Sequence, residues 1–244
     1  MILLDCGNSH LKAQFWEAGR LQASFVGSYH SAWRQRLEHW MQGLSATHCY
    51  FASVLDATRQ AELDQWLAQK FATAVTRFVS TASALGVTNG YQQPERLGDD
   101  RWMTLIAARE MVTGDCVIID AGSAITLDLL RADGRHLGGA ILPGFNTSVE
   151  HFKRIFEYID FNNSAIAETR QPGCSTEAAI HIDYAQTAIE ILPELVNRWI
   201  QIFDDDAIVL LAGGDAGRVQ RVLDQPSRIA PDLVLRGICR LAQQ

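Results

Sequence analysis

Two short segments of the sequence repeat one pattern of residues that could bind a phosphorylated ligand. Residues 3–9 read LLDCGNS and residues 118–124 read IIDAGSA: an apolar run, an aspartate, one residue, a glycine and a small polar residue. In such a turn the glycine lets backbone N–H groups approach an anion, and the aspartate at the strand end can hold a hydrated divalent cation. Two such turns facing each other across a cleft would hold a nucleoside triphosphate and its metal. Asp and Gly are common in any turn, so the duplication carries the signal.

The repeat continues beyond the two turns. Gly19-Arg20 falls on Gly134-Arg135 without a gap, so each half is predicted to begin with three strands in one register. The predicted strands are 2–5, 11–16 and 21–26 in the first half, and 117–120, 125–131 and 136–142 in the second. No low-complexity linker separates the halves. We place their boundary near residues 113–115, which gives domains of 1–114 and 115–244.

Helices and further strands complete each half. Asp56 is predicted to cap a helix over 57–71. Ser31 is predicted to cap a helix that carries Trp33, Leu37, Trp40 and Leu44 at helical spacing. The other predicted elements are strands at 49–55, 75–79 and 208–211, a helix capped by Asn146 or Thr147, and a long helix from Ser175 that breaks or kinks at Pro193.

A long segment without periodicity precedes a cluster of charges. Residues 81–98 are longer than a compact domain usually tolerates without a use, and they run into Asp99-Asp100-Arg101 at the start of an apolar-periodic helix, 102–112. Asp99 is predicted as the N-cap of that helix. Asp100 and Arg101 are either functional residues of a site or charges on a solvated helix end. Residues 212–215, AGGD, are either a nucleotide-contact turn or an ordinary strand-to-helix connection capped by Asp215.

The composition of the sequence limits the classes of partner and the cellular compartment that we expect. A net charge of −7 without a Lys/Arg run argues against a nucleic-acid surface. The start, MILLDCG, lacks the basic region of a signal peptide, and no apolar stretch approaches the roughly 18 residues of a membrane span. The five cysteines are scattered and form no C-x-x-C motif, a pattern typical of reduced thiols. We therefore expect a cytoplasmic protein with no nucleic-acid or membrane partner.

Several motifs together resemble those of the type III pantothenate kinases. They are DCGNS at 5–9, NGY at 89–91, GDDR at 98–101, DAGSAIT at 120–126, GGAILPG at 138–144, GCST at 173–176 and AGGD at 212–215. The resemblance implies an α/β protein with the duplicated ribonuclease-H-like (actin-like ATPase) fold, two similar domains and the active site in the cleft between them. It also implies transfer of the ATP γ-phosphoryl group to the primary hydroxyl of pantothenate, which begins coenzyme A synthesis.

The resemblance also implies roles for individual residues. The ATP-binding residues would be Asp5, Cys6, Gly7, Asn8, Ser9, His10, Leu11, Lys12 and Ser123. The substrate-binding residues would be Tyr91, Gly98, Asp99, Asp100, Arg101 and Thr176, the last supplied across a homodimer interface. Asp100 would be the catalytic base and Arg101 would grip the pantothenate carboxylate, roles that suit a hydroxyl nucleophile and an acidic substrate. Asp120 would hold a monovalent cation, potassium or ammonium, beside the Mg²⁺ that accompanies ATP.

A few positions depart from the pattern of the family. Ser9 and Ser123 stand where the family usually has threonine, and either hydroxyl could still reach a phosphate. Asp183, or a near neighbour, stands where the helix after GCST usually has glycine. Lys12 is either a phosphate contact or an exposed strand residue.

Two other functions stay open on the sequence. The first is another phosphotransferase of the same fold with a sugar or small-acid acceptor, against which Tyr91 and the GDDR loop argue. The second is a nucleotide-binding regulator without catalysis. The joint presence of four charged residues argues against a regulator; these are Asp5, Asp100, Arg101 and Asp120.

Overall fold

The computed structural model describes residues 1–29, 32–71, 74–155, 174–176, 191–203 and 206–244, which fall into two compact units. The first unit comprises Met1–Thr113, Ala132–Leu137 and Asp232–Gln244, and the second comprises Gly114–Arg131 and Gly138–Pro231. The predicted boundary near 113–115 lies at this division. Two segments assigned by sequence to the second domain, 132–137 and 232–244, instead pack with the first unit.

The first unit is built on a five-stranded mixed sheet in the order β3-β2-β1-β4-β5. Its strands are β1 (Ile2–Cys6), β2 (His10–Glu17), β3 (Arg20–Ser28), β4 (Cys49–Ser53) and β5 (Val75–Arg77). β1 pairs antiparallel with β2 and parallel with β4, and β4 pairs parallel with β5. Every residue of β1 is buried, as expected of a central strand covered on both faces.

The described α-helices of this unit are α1 (Trp33–Met41), α2 (Ala57–Phe71), α3 (Asp99–Met111) and a C-terminal helix, Leu233–Ala242. Residues 101–108 of α3 are buried in succession, so this helix is covered on all sides. The C-terminal helix packs against α3 at Gly237, where a Cβ would lie 2.1 Å from the backbone oxygen of Met103. This close contact explains why the last segment of the chain belongs to the first unit.

The second unit repeats the sheet, with the order β10-β9-β8-β11-β12. Its strands are β8 (Cys116–Ala121), β9 (Ala124–Leu130), β10 (His136–Pro143), β11 (Ile208–Ala212) and β12 (Ser227–Ile229). The pairings are those of the first sheet: β8 is antiparallel to β9 and parallel to β11, and β11 is parallel to β12. The predicted repeat of the architecture is confirmed.

The described helices of the second unit are α4 (Phe145–Ile155), α5 (residues 191–200) and α6 (Ala216–Gln220), so the C-terminal helix is α7. Pro193 lies within α5, whereas the predicted part of this helix before 191 lies outside the described residues, apart from 174–176. Ser31 and Asp183 also lie outside them. No helix in the described ranges is long and apolar enough to cross a membrane.

The helix starts test the predicted caps. Asp56 caps α2 as predicted, because its Oδ1 accepts the N–H groups of Thr58 and Arg59 at 3.1 and 3.0 Å. The prediction that Asp99 caps α3 is wrong, since Gly98 occupies the N-cap and Asp99 is the first helical residue. The predicted caps of α4 are also wrong. Its first residue is Phe145, so Asn146 and Thr147 lie inside the first turn.

The segment 81–98, predicted as an aperiodic loop, contains regular structure. A two-residue turn, Leu85-Gly86, joins β6 (Ser83–Ala84) to β7 (Val87–Thr88), and both turn residues have positive φ, 49° and 77°. That backbone matches the twist of a tight hairpin. A single 3₁₀ turn, Pro94–Arg96, follows before α3.

Candidate active site

The first Asp-x-Gly turn joins β1 to β2 through residues 7–9. The Gly7 N–H donates to the His10 carbonyl at 3.1 Å, which closes the turn. Asn8 and His10 are exposed and Ser9 is half-buried, so this part of the predicted phosphate loop is open to a ligand. The side chains of Cys6 and Leu11 are fully buried in the core, so those two residues could meet ATP only through their backbone.

Asp5 and Lys12 lie opposite each other in the antiparallel ladder between β1 and β2. Directly opposed residues point to the same face of a sheet, with Cβ atoms about 4.5–5.5 Å apart. Asp5 is 8% exposed and Lys12 is half-buried. The ladder therefore presents a carboxylate and an ammonium group side by side at the base of the turn. The neighbouring Cys6 is not a nucleophile, because burial first, and then the Asp5 charge, raise the pKa of its thiol.

Arg59, a residue that the sequence did not single out, reaches the first turn from α2. Its Nη1 donates to the Asn8 carbonyl at 3.0 Å, and its Nε donates to Asp56 Oδ2 at 2.5 Å. Asp56 thus both caps α2 and aims the guanidinium group. The only sequence signal was the predicted cap, since the contact with Asn8 joins residues far apart in the chain.

The second Asp-x-Gly turn is covered by two glycine-containing connections of its own unit. A Cβ at Gly213, whose φ is +86°, would lie 2.2 Å from the backbone oxygen of Ala121 and 2.6 Å from Asp120 Oδ1. A Cβ at Gly144 would lie 2.2 Å from the Gly122 oxygen and 2.6 Å from the Ser123 oxygen. The first glycine of AGGD, Gly213, is therefore required by close packing on the end of β8. Asp215 occupies the N-cap of α6 but makes no side-chain capping bond there.

Asn89 organises the segment that carries Tyr91. Its side chain is 8% exposed, its amide nitrogen lies 3.0–3.2 Å from the Ser80 hydroxyl and from the Thr81 and Pro94 carbonyls, and its Oδ1 accepts the Tyr91 N–H at 3.0 Å. The sequence indicated only an Asn-Gly turn here. A buried amide with several partners fixes a loop more firmly than a turn residue does.

Asp99 joins this network to α3. Its Oδ1 accepts the Ser80 N–H at 2.9 Å and its Oδ2 accepts Arg77 Nη2 at 3.1 Å. Both carboxylate oxygens of Asp99 therefore already accept hydrogen bonds from the protein. These bonds connect the segment around Ser80 to the start of α3. The predicted contact of Asp99 with the substrate stays a prediction.

Asp100, Arg101 and Tyr91 come together at the start of α3. Asp100 is half-buried, and its Oδ1 accepts the Arg101 N–H at 2.7 Å in the first helical turn. Arg101, 4% exposed, donates from Nη1 to the Tyr91 hydroxyl at 2.7 Å. The half-buried Tyr91 is the more accessible member of that pair. The Tyr91 ring stacks on His136, which the sequence analysis did not identify, with ring centroids 6.0 Å apart.

The remaining predicted site residues lie in the second unit. Ser123 and Thr176 are exposed, and Asp120 is half-buried at the end of β8. Among the described residues, no group of three or more His, Cys, Asp or Glu side chains is arranged to hold a metal.

Solved structures of low sequence identity share this fold. A protein from Campylobacter jejuni assigned to the Baf family of transcriptional activators has a TM-score of 0.56 at 20% identity, with 100% of this chain and 98% of that one covered. A protein from Sinorhizobium meliloti described as a 2-dehydro-3-deoxygalactonokinase also gives 0.56, at 14% identity, with 99% and 98% covered. MreB 5 of Spiroplasma citri gives 0.50 at 11%, with 99% and 95% covered. The predicted fold is confirmed: this is a protein of the actin-like ATPase and sugar-kinase fold.

Sequence relatives narrow this class to one family. The type III pantothenate kinase family model matches residues 1–198. The type III pantothenate kinase of Azotobacter vinelandii is 32% identical, with 98% of this chain and 96% of that protein covered. The enzyme of the same name from Halorhodospira halophila is 34% identical, with 97% and 95% covered. The chain belongs to the type III pantothenate kinase family, as the sequence motifs predicted.

Proposed function

We propose that this protein phosphorylates pantothenate with ATP to give 4′-phosphopantothenate, the first step of coenzyme A biosynthesis. The observation that carries the proposal is the grouping of Asp100, Arg101 and Tyr91 at the start of α3, in a chain of this family. A carboxylate in the same helical turn as a guanidinium that bonds a phenol suits an acceptor that has both a hydroxyl and a carboxylate. The pairing of Arg101 with Tyr91 is not expected of charges on a solvated helix end.

The proposed reaction needs little covalent work from the protein. The primary hydroxyl of pantothenate forms a bond to the γ-phosphorus as the bond from that phosphorus to the β,γ-bridging oxygen breaks, and ADP leaves. Asp100 accepts the hydroxyl proton. Arg101 and Tyr91 hold the pantothenate carboxylate and so orient the hydroxyl. Because phosphoryl-transfer transition states are loose, orientation and charge stabilisation should outweigh the contribution of the base.

The phosphate chain would be held by the first turn. The exposed residues Asn8 and His10, with half-buried Ser9 and Lys12, suit contacts with the triphosphate of ATP. Cys6, Gly7 and Leu11 would contribute backbone groups, and Ser123 would contribute its hydroxyl from the second turn. Arg59 would keep the first turn in place through the Asn8 carbonyl.

The residues present fit two cations. Asp5 is a strand-end carboxylate of the kind that binds a hydrated Mg²⁺. At Asp120 a carboxylate lies near the covered second turn, whose Gly122 carbonyl borders Gly144, and oxygen ligands of this kind suit potassium. When bound, the cations supply charge neutralisation for the phosphates. Asp5 and Asp120 would hold them.

We further propose that the protein is a homodimer in the cytoplasm. All five cysteines are free thiols, which suits a reducing compartment. Thr176 is exposed on its own chain, as a side chain offered to the partner's pantothenate site would be. The second unit would then complete the acceptor site of another copy.

A phosphorylation assay with pantothenate, glycerol, acetate and a few sugars as acceptors tests the proposal. We expect turnover with pantothenate alone. Asp100→Asn keeps the size of the side chain but cannot accept the proton, so its turnover at saturating ATP should fall roughly 10²–10⁴-fold, with the lower end favoured by the loose transition state. Its melting temperature and ATP affinity should not change.

Asp64→Asn is the matched control, because Asp64 is exposed on α2 of the same unit and its carboxylate accepts a bond from Gln60. Turnover of Asp100→Asn within about threefold of wild type would be too small an effect for a general base. Turnover with a sugar but not with pantothenate would favour the competing phosphotransferase. ATP binding without turnover of any acceptor would favour a nucleotide-binding regulator.

Mixing two impaired variants tests the contribution of Thr176 from the partner. In a heterodimer of Asp100→Asn and Thr176→Ala chains, one site regains both residues only if Thr176 acts across the interface. An equimolar, fully exchanged mixture should then recover roughly a quarter of wild-type turnover at limiting pantothenate. No recovery, together with a monomeric mass in sedimentation, would contradict the proposed dimer.

A further inference from the structure

We propose that His136 is a positioning residue for the acceptor, which holds the Tyr91 ring in the orientation that Arg101 requires. The inference rests on the proposed function, since it assigns His136 to the pantothenate site. Neither the repeat nor the motif resemblance singled out this histidine. It opens β10, and its segment, 132–137, belongs to the first unit.

The tip of the β9–β10 hairpin is docked firmly against the substrate segment. The Thr88 N–H donates to the Gly134 carbonyl at 2.9 Å, and Thr88 forms a β-bridge with Arg135. A Cβ at Gly134, where φ is +88°, would lie 1.8 Å from the Gly86 carbonyl oxygen, so only glycine allows this approach. The docking brings His136 beside Gly90 and Tyr91.

His136 makes two contacts with the segment that carries Tyr91. Its ring is nearly parallel to the Tyr91 ring, with centroids 6.0 Å apart and an interplanar angle of 16°. Its Nδ1 accepts the Gly90 N–H in a long hydrogen bond of 3.4 Å, so the ring is bonded to the residue just before the one it stacks on. Together the contacts restrain both the backbone and the side chain of Tyr91.

Tyr91 passes this restraint to the charged group of the site. Its hydroxyl accepts Arg101 Nη1 at 2.7 Å, which leaves the hydroxyl proton available to an anionic ligand. The Arg101 Cζ lies 5.5 Å from the ring centroid, as expected of a guanidinium at the hydroxyl end of the ring. His136, Tyr91 and Arg101 are therefore linked by one continuous series of contacts.

The contacts of the three residues separate their roles. Arg101 bonds the hydroxyl of the half-buried Tyr91, whereas the buried His136 contacts Gly90 and the Tyr91 ring. We therefore assign His136 to the support of Tyr91 and not to the ligand. A phenol held in place before binding costs less entropy when the substrate arrives than a mobile one does. His136 should therefore affect the apparent affinity for pantothenate and leave the chemical step alone.

The test compares His136→Ala, which removes both contacts, with His136→Phe, which keeps a ring, and His136→Asn, which keeps a hydrogen-bond acceptor. We expect His136→Ala to raise the KM for pantothenate roughly three- to tenfold, the effect of releasing about one side chain. The kcat and the KM for ATP should stay within about twofold of wild type. The Phe and Asn variants should fall between the wild type and His136→Ala.

The decisive measurement repeats the His136 substitutions in a Tyr91→Ala background. If His136 acts through Tyr91, they should raise the KM for pantothenate no further there. His48→Ala is the matched control: His48 stacks on Tyr50 with centroids 6.1 Å apart at an angle of 11°. It directly precedes β4, at the opposite end of the sheet from Asp5 by the pairing of β1 with β4, so its loss should not change this KM.

Two outcomes would overturn the inference while the proposed function stands. One is a lower melting temperature with an unchanged KM for pantothenate in all three His136 variants, which is a purely structural role. The other is a rise in KM of the same factor with and without Tyr91. A wild-type protein that does not phosphorylate pantothenate would instead remove the proposed function, and this inference with it.

Discussion

The two Asp-x-Gly turns begin as copies of one motif and end as different structures. Three residues separate β1 from β2 in the first turn, whereas two separate β8 from β9 in the second. Asp5 consequently pairs with Lys12, while Asp120 pairs with Thr126. The repeat is ungapped in sequence but shifted by one residue in the ladder, so the predicted common register is wrong at this point.

The two turns are also covered differently. At Gly7 the one described atom within 4 Å of a Cβ would be the His10 oxygen, at 3.3 Å. Over the second turn, Gly144 and Gly213 approach backbone oxygens so closely that any larger residue would collide. The same contrast holds for the carbonyl after each turn glycine. Arg59 bonds that of Asn8, whereas Gly144 N–H and the Thr147 hydroxyl bond that of Ser123.

This contrast supports the proposed division of the ligands between the two turns. The open turn, with its extra residue, would offer backbone N–H groups and a lysine to a large anion. The covered turn would offer the oxygens of Asp120 to a small cation. The difference depends on packing partners far away in sequence, because the motifs themselves are nearly identical.

Charge removal at the two aspartates should give the largest effect. Asp5→Asn and Asp120→Asn should each lower turnover roughly 10²–10³-fold, the usual loss when one fixed group that stabilises developing charge is removed. Only Asp120→Asn should lose most of the stimulation by potassium or ammonium, because only the covered turn is assigned to the monovalent ion. Turnover measured across a potassium titration separates the two variants.

The control for both variants is the melting temperature without ligands, which should match that of wild type. Full activity of Asp120→Asn with an unchanged potassium dependence would remove the cation from the second turn. Equal loss of potassium stimulation in both variants would show that the turns do not divide the ligands as proposed.

Replacing a glycine by alanine should lower the free energy of unfolding more at the covered turn than at the open turn. Gly213→Ala combines a positive φ with a Cβ placed 2.2 Å from a backbone oxygen, so we expect a loss of about 2–4 kcal/mol in the free energy of unfolding. Gly7→Ala should lose under about 1 kcal/mol, since its one close contact is a turn oxygen at 3.3 Å. Denaturant titration measures both.

Gly214→Ala is the matched control for Gly213→Ala, because a Cβ at Gly214 would meet no described atom within 4 Å. If Gly213→Ala were no less stable than Gly214→Ala, the second turn would have room to relax. The distinction between a covered and an open turn would then fail.

These differences mark the limit of what the sequence can predict. Most strands of each unit were predicted from apolar runs and the repeat, and Asp56 was identifiable as a cap because its partners lie two and three residues away. Arg59 and His136 were missed because their partners lie at separations that no local pattern encodes. The turn at Asn89 was recognised, but its bonds to Ser80 and Thr81 were not. For the same reason, the glycines of GGAILPG and AGGD were recognised as motifs without their packing role.

The smallest expected effect concerns Arg59, the side chain that bonds the first turn. Arg59→Gln should leave kcat unchanged and raise the KM for ATP about two- to fivefold, because the Asn8 carbonyl loses a hydrogen bond worth roughly 0.5–1 kcal/mol. The lower range applies because the guanidinium is 43% exposed and its pairing with Asp56 is screened by water. Steady-state kinetics with ATP varied at saturating pantothenate measures the change.

Arg34→Gln is the closest control for Arg59→Gln. Arg34 has the same side-chain exposure, 43%, and also pairs with a carboxylate of the α2 segment, Glu62, but it makes no described contact with the first turn. General loss of surface charge would affect both variants alike, whereas loss of the turn contact affects Arg59→Gln alone. An equal KM for ATP in the two variants would mean that the first turn keeps its shape without Arg59. The open turn would then be held in shape by its own backbone, whereas the covered turn is held by the packing of Gly144 and Gly213.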